Sequence, residues 1–391
     1  MNFRRNRQNS LTRFCFELIF VRRSWMVACI GAFTQAVTVT TIYATLGMDA
    51  VVEAVQDNII PVIVCNKRNV AKLLEKSKDM PSLKVIVYTN DLVAPDETID
   101  IPSKPPRGIK IFSMGEFIAS GDTKAFPPTP PKADSTAVVM YTSGSTGKPK
   151  GVIVTHRQIV GACASGEIAL GVRKGEDVYL AYLPLAHIME MMAEFALMSM
   201  GCTLCYADPK SLTATGAHPI GALEAYSPTL MVAVPKIWDV IKKGINAKVA
   251  AGSPVVQFLF KTAFQWRTFA LKYGFDTPLF KALVFKKLKK AVGGNLRMGV
   301  SGGGPLNGEV QEFCRTAFSI DLIQGYVCVP RNEAAIFVPS QTLTLVFLIF
   351  TSLLGSHGNM CRNRYSSSGR YPKWDCRPNY SIRRMQVRVY P

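Results

Sequence analysis

The sequence predicts an α/β fold of layered parallel sheets with covering helices. Three observations carry that prediction. Short β-branched runs alternate with helical segments from Trp25 to Tyr88, the spacing of parallel strands joined by crossover helices. Two apolar runs, Thr136–Met140 and Val152–Val154, flank a loop of glycines and hydroxyls. Farther on, strand-like runs lead into helical ones at Tyr179–Met200 and Thr229–Asp239. With 391 residues, 48% of them hydrophobic, and a mean hydropathy of +0.15, the chain can build a large core and is not a disordered polymer.

Residues 1–23 are Arg-rich, with an apolar run, Phe14–Val21, broken by Glu17. That run is too short to span a membrane. Residues 1–24 read as a leader outside the domain, with a mitochondrial targeting segment as the alternative. Met26–Phe33 suits a helix, Val37–Ile42 a strand, Met48–Asp57 a helix, Pro61–Val64 a strand, Val70–Lys76 a helix and Val85–Tyr88 a strand. Ala125–Asp134 holds four prolines and reads as a stiff connector. Val255–Tyr273 is helical by length, though its aromatics fall on no single narrow stripe. In Lys281–Lys290, basic and apolar residues interleave, which suits an anionic membrane surface or a solvated helix face.

The net charge of +19 is unevenly placed. Residues 1–25 hold six Arg and one Glu, and residues 327–391 hold eight Arg, one Lys and two acids. The ends are Arg-rich while the middle carries 24 Lys to 7 Arg, so the ends have a different origin from the middle. Total charge is therefore no argument for nucleic acid as a partner. The ten cysteines show neither a metal-ligand nor a disulfide pattern. Cys202 and Cys205 lie in GCTLCYA, which reads as a buried strand. No metal ligands are assigned, and a reducing, intracellular compartment is expected.

Tyr141–Gly151, YTSGSTGKPKG, carries the chemistry. Its glycines let successive N–H groups turn towards one point, forming an anion-binding nest. Thr142, Ser143, Ser145 and Thr146 add hydroxyl donors; Lys148 and Lys150 add positive charge. The target is a polyanion, most simply the phosphates of a nucleotide. Only two residues separate Gly144 from Gly147, and Pro149 follows Lys148, so this is not a Walker A loop and a P-loop phosphotransferase is disfavoured. Three other stretches stand out. His187 sits at a strand-to-helix junction in PLAHIME, where Glu190 would favour the first helical turn. Trp238 follows a buried strand in VPKIW, as core or as channel wall. The triple glycine of RMGVSGGGP allows close approach by a ligand.

YTSGSTGKPKG resembles the phosphate-loop signature of the AMP-forming acyl-activating (adenylate-forming) enzymes, a long and specific motif. Residues 23–47 resemble a segment of the long-chain acyl-CoA synthetases, as do PLAHIME and VPKIW. The resemblance runs from Trp25 to Tyr326. It implies a partial large N-terminal domain of an adenylate-forming enzyme, ATP with Mg²⁺ and CoA as cofactors, and a long-chain fatty acid as substrate. A fatty carboxylate would be activated as an acyl adenylate and passed to CoA, with a possible station at a membrane such as the endoplasmic reticulum. Thr142, Ser143, Gly144, Ser145, Thr146, Gly147 and Lys150 would hold phosphates. Gly302, Gly303, Gly304 and Tyr326 would wall the adenine; His187, as the catalytic residue, and Trp238 would border the acyl group. Ile320–Tyr326, IDLIQGY, resembles the beginning of a later family signature that continues Gly-x-Thr-Glu, but here Val327-Cys328-Val329-Pro330 follow. The expected Mg²⁺ glutamate and the mobile C-terminal domain with its lysine are missing from the pattern. Residues 327–391 accordingly read as a poorly ordered tail outside the family, from a retained intron or shifted frame, and impaired turnover is expected.

Overall fold

The computed structural model describes residues 13–18, 23–43, 46–91, 93, 97–142, 149–213, 216–217, 219–328, 335–338 and 345–347. The chain enters through β1 (Arg13–Leu18), α1 (Arg23–Thr34), β2 (Thr38–Tyr43), α2 (Met48–Asn58), β3 (Val62–Asn66) and α3 (Val70–Glu75). It continues through β4 (Val85–Thr89), β5 (Lys110–Ser113), α4 (Met114–Ala119), β6 (Thr136–Thr142) and β7 (Lys150–Thr155). These strands form a seven-stranded sheet, here sheet A, in the order β5-β4-β3-β1-β2-β6-β7. Every neighbouring pair is parallel except β6 and β7, which form an antiparallel hairpin.

The next stretch runs α5 (His156–Leu170), β8 (Val178–Ala181), α6 (Ile188–Ser199), β9 (Thr203–Tyr206), α7 (Ala222–Tyr226) and β10 (Leu230–Ala233). Then come α8 (Pro235–Ala250), α9 (Pro254–Lys272), α10 (Pro278–Phe280), α11 (Lys286–Lys289), β11 (Met298–Ser301), α12 (Gly308–Phe318) and β12 (Asp321–Gln324). Sheet B is wholly parallel, in the order β12-β11-β10-β8-β9. β13 (Tyr326–Cys328), β14 (Ala335–Val338) and β15 (Leu345–Phe347) pair antiparallel in a small third sheet.

Alternation explains how sheet A is buried on both faces. Val62, Val64, Val85, Val87, Val138 and Met140 enter one apolar cluster; Ile63, Cys65, Ile86, Val139 and Tyr141 enter the other, with α2 and α3. Successive strand side chains point to opposite faces, so strands covered twice read as continuous apolar runs. The first cluster continues through Trp25, Met26 and Cys29 of α1 and Met191 and Phe195 of α6 to Tyr179 and Leu180 of sheet B. Phe33 joins the middle helices: its ring lies 4.8 Å from His156 on α5 and 5.8 Å from Phe195 on α6. The layered parallel α/β architecture is the one the alternation predicts.

Two placements differ from the sequence reading. Residues 13–18 lie in the span set apart as a leader, yet β1 is an interior strand that pairs with β2 on one side and β3 on the other. A strand of six residues bracketed by Arg-rich sequence has too little local pattern to mark it as part of the sheet; its pairing with β2 and β3 is what places it there. β14 and β15 fall within residues 327–391, the span set apart as a tail.

A polar knot ties sheet B together at the N-terminal ends of its strands. Asp177, just before β8, accepts from Arg297 Nε at 2.9 Å, Thr229 Oγ1 at 2.7 Å and the Arg173 backbone N–H at 2.7 Å. Arg297 makes a second bond to the same carboxylate, completing a bidentate pair. Burial alone would push this carboxyl up; the hydrogen bonds from Arg297, Arg173 and Thr229 reverse that and hold it below its ordinary value. Arg297→Met strands a carboxylate that is 1% exposed and is expected to cost about 3–5 kcal/mol in urea denaturation. Because the folded value is depressed, the wild-type knot stabilises above the unfolded carboxylate range and its contribution is lost as pH falls through the folded value. The acid limb of a Tm-against-pH curve should be shallower in Arg297→Met.

Candidate active site

In parallel sheets, ligands bind beyond the carboxyl ends of the strands, and the candidate residues gather there. In sheet B, Ala233 pairs with Ser301 and Ser301 with Gln324. The residues that follow, Val234, Gly302 and Gly325, therefore emerge abreast. In sheet A, Thr41 pairs with Met140. Two residues on, Tyr43 and Thr142 end their strands at the same edge. The two edges meet at His187, whose ring centroid lies 6.3 Å from that of Tyr43 in an edge-on arrangement.

His187 is the N-cap of α6, and its Nδ1 accepts the Met189 backbone N–H at 3.2 Å. With Nδ1 engaged as acceptor, the neutral ring carries its proton on Nε2. Burial holds the imidazole below its ordinary pKa, so the neutral form prevails at pH 7. Met189 then reaches the triple glycine: a Cβ at Gly302 would lie 2.5 Å from Met189 Sδ and 3.3 Å from the Gly325 carbonyl. Gly303 adopts φ +81°, a conformation that favours glycine. The Ser301 hydroxyl is buried and has no hydrogen-bond partner among the described residues. Met189 thus fills the space beside buried Gly302, so glycine there serves close packing of α6, while Gly303 is exposed and the Ser301 hydroxyl is left as an unsatisfied polar group among the described residues.

The hairpin ends at the same edge. Thr142 ends β6 and Lys150 opens β7; they face each other and both are exposed. Ser143, Gly144, Ser145, Thr146, Gly147 and Lys148 lie outside the described residues. Tyr141 turns the other way. Its hydroxyl accepts from Asn58 Nδ2 at 2.9 Å and donates to Asp57 Oδ2 at 3.2 Å. Opposite it, a Cβ on Gly151 would come within 2.9 Å of Val139 Cγ1 and 3.2 Å of the Tyr141 ring. The two ends of the motif, Tyr141 and Gly151, are therefore packing residues. Gly325 donates its N–H to the Ser301 carbonyl at 2.7 Å, and Tyr326 follows as the first residue of β13.

Trp238 is fully buried, one helical turn beyond Pro235, whose ring lies 3.9 Å from the Cβ position of Gly304. Its ring fills the space that a side chain at Gly299 would need, with 2.7 Å to the Cβ position. A small apolar cavity of about 20 Å³ lies on the α6 side of sheet B, lined by Tyr179, Ala193, Leu197, Val232, Met298 and Val300. Met298 and Val300 flank Gly299 on β11, so strand alternation puts Trp238 and this cavity on opposite faces.

The sequence reading gave Glu190 only a macrodipole role. In the structure Glu190 and Glu194 are both fully buried on one face of α6. Tyr179 on β8 donates to Glu190 at 2.6 Å, and Tyr206 on β9 donates to Glu194 at 2.9 Å. The other Glu194 oxygen and the buried Tyr182 hydroxyl have no partner among the described residues. Burial, then the neighbouring Glu194, pushes the Glu190 carboxyl up; burial pushes Glu194 up to about 8. Burial and the Glu190 charge push the Tyr179 phenol up as well. The available signal was two carboxylates four residues apart in an otherwise apolar helix, IMEMMAEFALMS.

The chain belongs to the AMP-binding enzyme family, whose model matches residues 19–328. It is 32% identical over 318 residues to long chain acyl-CoA synthetase 8 of Arabidopsis thaliana, covering 78% of this chain and 44% of that protein. It is 34% identical over 292 residues to long-chain-fatty-acid–CoA ligase 2 of Schizosaccharomyces pombe, covering 74% and 42%. The chain thus spans less than half the length of these relatives. The A domain of carboxylic acid reductase from Segniliparus rugosus, in complex with AMP and a co-purified carboxylic acid, shares the fold with TM-score 0.57 at 15% identity, covering 87% of this chain and 58% of that one. The N-terminal domain of FACL13 from Mycobacterium tuberculosis shares it with TM-score 0.53 at 18% identity, covering 81% and 63%.

The buried carboxyl pair makes stability depend on pH. Both folded values lie above the unfolded one, so the pair favours the fold at low pH. That contribution is lost as pH rises from the ordinary 4.5 towards about 8. The titrating groups around it are Tyr179, Tyr182 and Tyr206, with Arg23 acting on Tyr206. Glu194→Gln is expected to flatten the decline of Tm across that window, read by melts at stepped pH.

Proposed function

We propose that this chain carries the nucleotide- and acyl-binding portion of a long-chain fatty acid–CoA ligase, which activates a fatty carboxylate with ATP and passes the acyl group to CoA. One observation carries the reading: His187, the glycine turn that follows β11 and the hairpin ends Thr142 and Lys150 gather at the carboxyl-end edges of the two sheets, where Tyr43 meets His187 and Met189 meets Gly302. The named relatives support the choice of substrate class. A carboxylate does not acylate a thiol unaided, and ATP supplies an electrophilic α-phosphate and a good leaving group.

In this reading Thr142, Ser143, Gly144, Ser145, Thr146, Gly147 and Lys150 bind the β- and γ-phosphates. Preorganised donors of this kind stabilise developing charge without reorganising. Gly302, Gly303, Gly304 and Tyr326 wall the adenine. His187 donates its Nε2–H to the fatty carboxyl and orients it in the cleft. Trp238 backs the triple glycine from the α8 side. The α6-side cavity, at about 20 Å³, has room for about one water molecule and holds no part of a long tail as it stands. Mg²⁺ is a different matter: Val329 and Pro330 stand where the signature has Thr and Glu. Hydrocarbon side chains cannot ligate a hard cation, and no step is assigned to one. That observation favours a second reading, a chain that binds nucleotide or acyl group without turnover.

Pyrophosphate release that requires both ATP and a long-chain fatty acid would establish the first reading on the purified chain. ATP binding without release would establish the second, and failure to bind ATP would overturn both. Gly302→Val drives a branched side chain against Met189 and the Gly325 carbonyl. It is expected to weaken ATP binding about tenfold or more by calorimetry, while the far-UV circular dichroism stays that of the wild type.

A further inference from the structure

α9 has two apolar faces. Phe260, Ala263, Phe264 and Arg267, at helical spacing, turn inward. Phe264 stacks on Phe313 of α12 at 5.5 Å, and Phe260 meets Phe285 at 6.5 Å. The opposite face is also apolar: Phe258 is 72% exposed, Trp266 61%, Phe269 58% and Tyr273 61%. Phe269 and Tyr273 pack on each other with ring centroids 4.8 Å apart. The chain that follows adds exposed Phe275, Leu279 and Leu283. Single exposed apolar residues are ordinary, but four exposed aromatics sharing one face of a helix of about 28 Å are not.

Charge accompanies the stripe. Residues 254–292 hold seven Lys, one Arg and one Asp. The middle of the chain, residues 26–326, holds 31 basic and 24 acidic residues, so this segment alone supplies its net +7. Asp276 is taken by buried Arg267 at 3.2 Å and by Lys281 at 2.7 Å. Lys261, Lys272, Lys286, Lys287, Lys289 and Lys290 have no acidic partner among the described residues. Phe285 packs under Arg267 with 5.5 Å from the guanidinium carbon to its ring centroid, which fastens the lysine-rich turn to α9.

We propose that residues 254–292 seat the protein on a membrane surface bearing anionic headgroups, with α9 lying in the plane of the interface. Phe258, Trp266, Phe269 and Tyr273 enter the acyl boundary, and the lysines of the following turn engage the headgroups. Aromatic anchors beside lysines are the composition of interfacial helices. A second copy of the chain is disfavoured as occupant, because it would set a segment of charge +7 against the same charge. Among the described residues no helix is long and apolar enough to cross a membrane, which suits a helix that lies on one. None of these residues is among those assigned to the nucleotide or the acyl group, so its test is independent of the ligase reading.

The test is co-sedimentation of the full chain with phosphatidylcholine vesicles, with and without phosphatidylserine, in the absence of ATP and fatty acid. The wild type should pellet with the phosphatidylserine vesicles and be released by high salt. A Lys286→Glu/Lys287→Glu/Lys290→Glu variant should lose about a hundredfold or more in partitioning. A Phe258→Ser/Trp266→Ser/Phe269→Ser variant should lose binding with an unchanged Tm, since these side chains are exposed. Equal pelleting with both vesicle types would overturn the proposal. So would full binding by both variants, or a wild-type dimer in sedimentation velocity that the serine variant dissolves without any lipid dependence.

Discussion

The candidate site depends on how α6 is held between two sheets. The helix is apolar on most sides, so burial alone would let it slide. Two phenol-to-carboxyl hydrogen bonds, Tyr179 to Glu190 and Tyr206 to Glu194, fix its rotation and its rise against β8 and β9. Its N-terminus then falls where Tyr43 of sheet A and Gly302 of sheet B both reach it. Buried polar contacts are poor sources of net stability but good sources of a unique arrangement, since misplacing the helix would leave carboxyls unpaired in the core.

The two ends of sheet B divide the labour. The N-terminal end is closed by the Asp177–Arg297–Thr229 knot, with its donors satisfied by protein. The C-terminal end has the exposed backbone of Gly303 and a Ser301 hydroxyl with no hydrogen-bond partner among the described residues. A saturated end holds the strands in register, and an unsaturated end has groups left to offer a ligand. The same division runs through the loop motif, where Tyr141 and Gly151 pack against α2 and each other while the residues between them carry the donors.

Much of this was legible in the chain. Period-two and helical patterns located the first three helices, the strands between them and the hairpin, because local alternation reflects which face is covered. The loop and the triple glycine were legible because glycine at such density has few other uses. Glu190 and Glu194 were not, because a carboxylate in the first turns of a helix has an ordinary explanation at the surface. Only the packing of β8 and β9 over them removes the solvent that would justify it. The outward stripe of α9 was hidden for a related reason: its aromatics cover two faces, and no periodicity says which one the core takes.

The sequence by itself determined the layered α/β class, the phosphate-type loop and His187 at a helix start, since each depends on neighbours within a few residues. Only the tertiary structure decided that β1 sits inside sheet A, that Trp238 and the apolar cavity occupy opposite faces of sheet B, and that Met189 closes on Gly302. Those are contacts between residues far apart in the chain, and their partners are selected by packing, which local pattern does not encode.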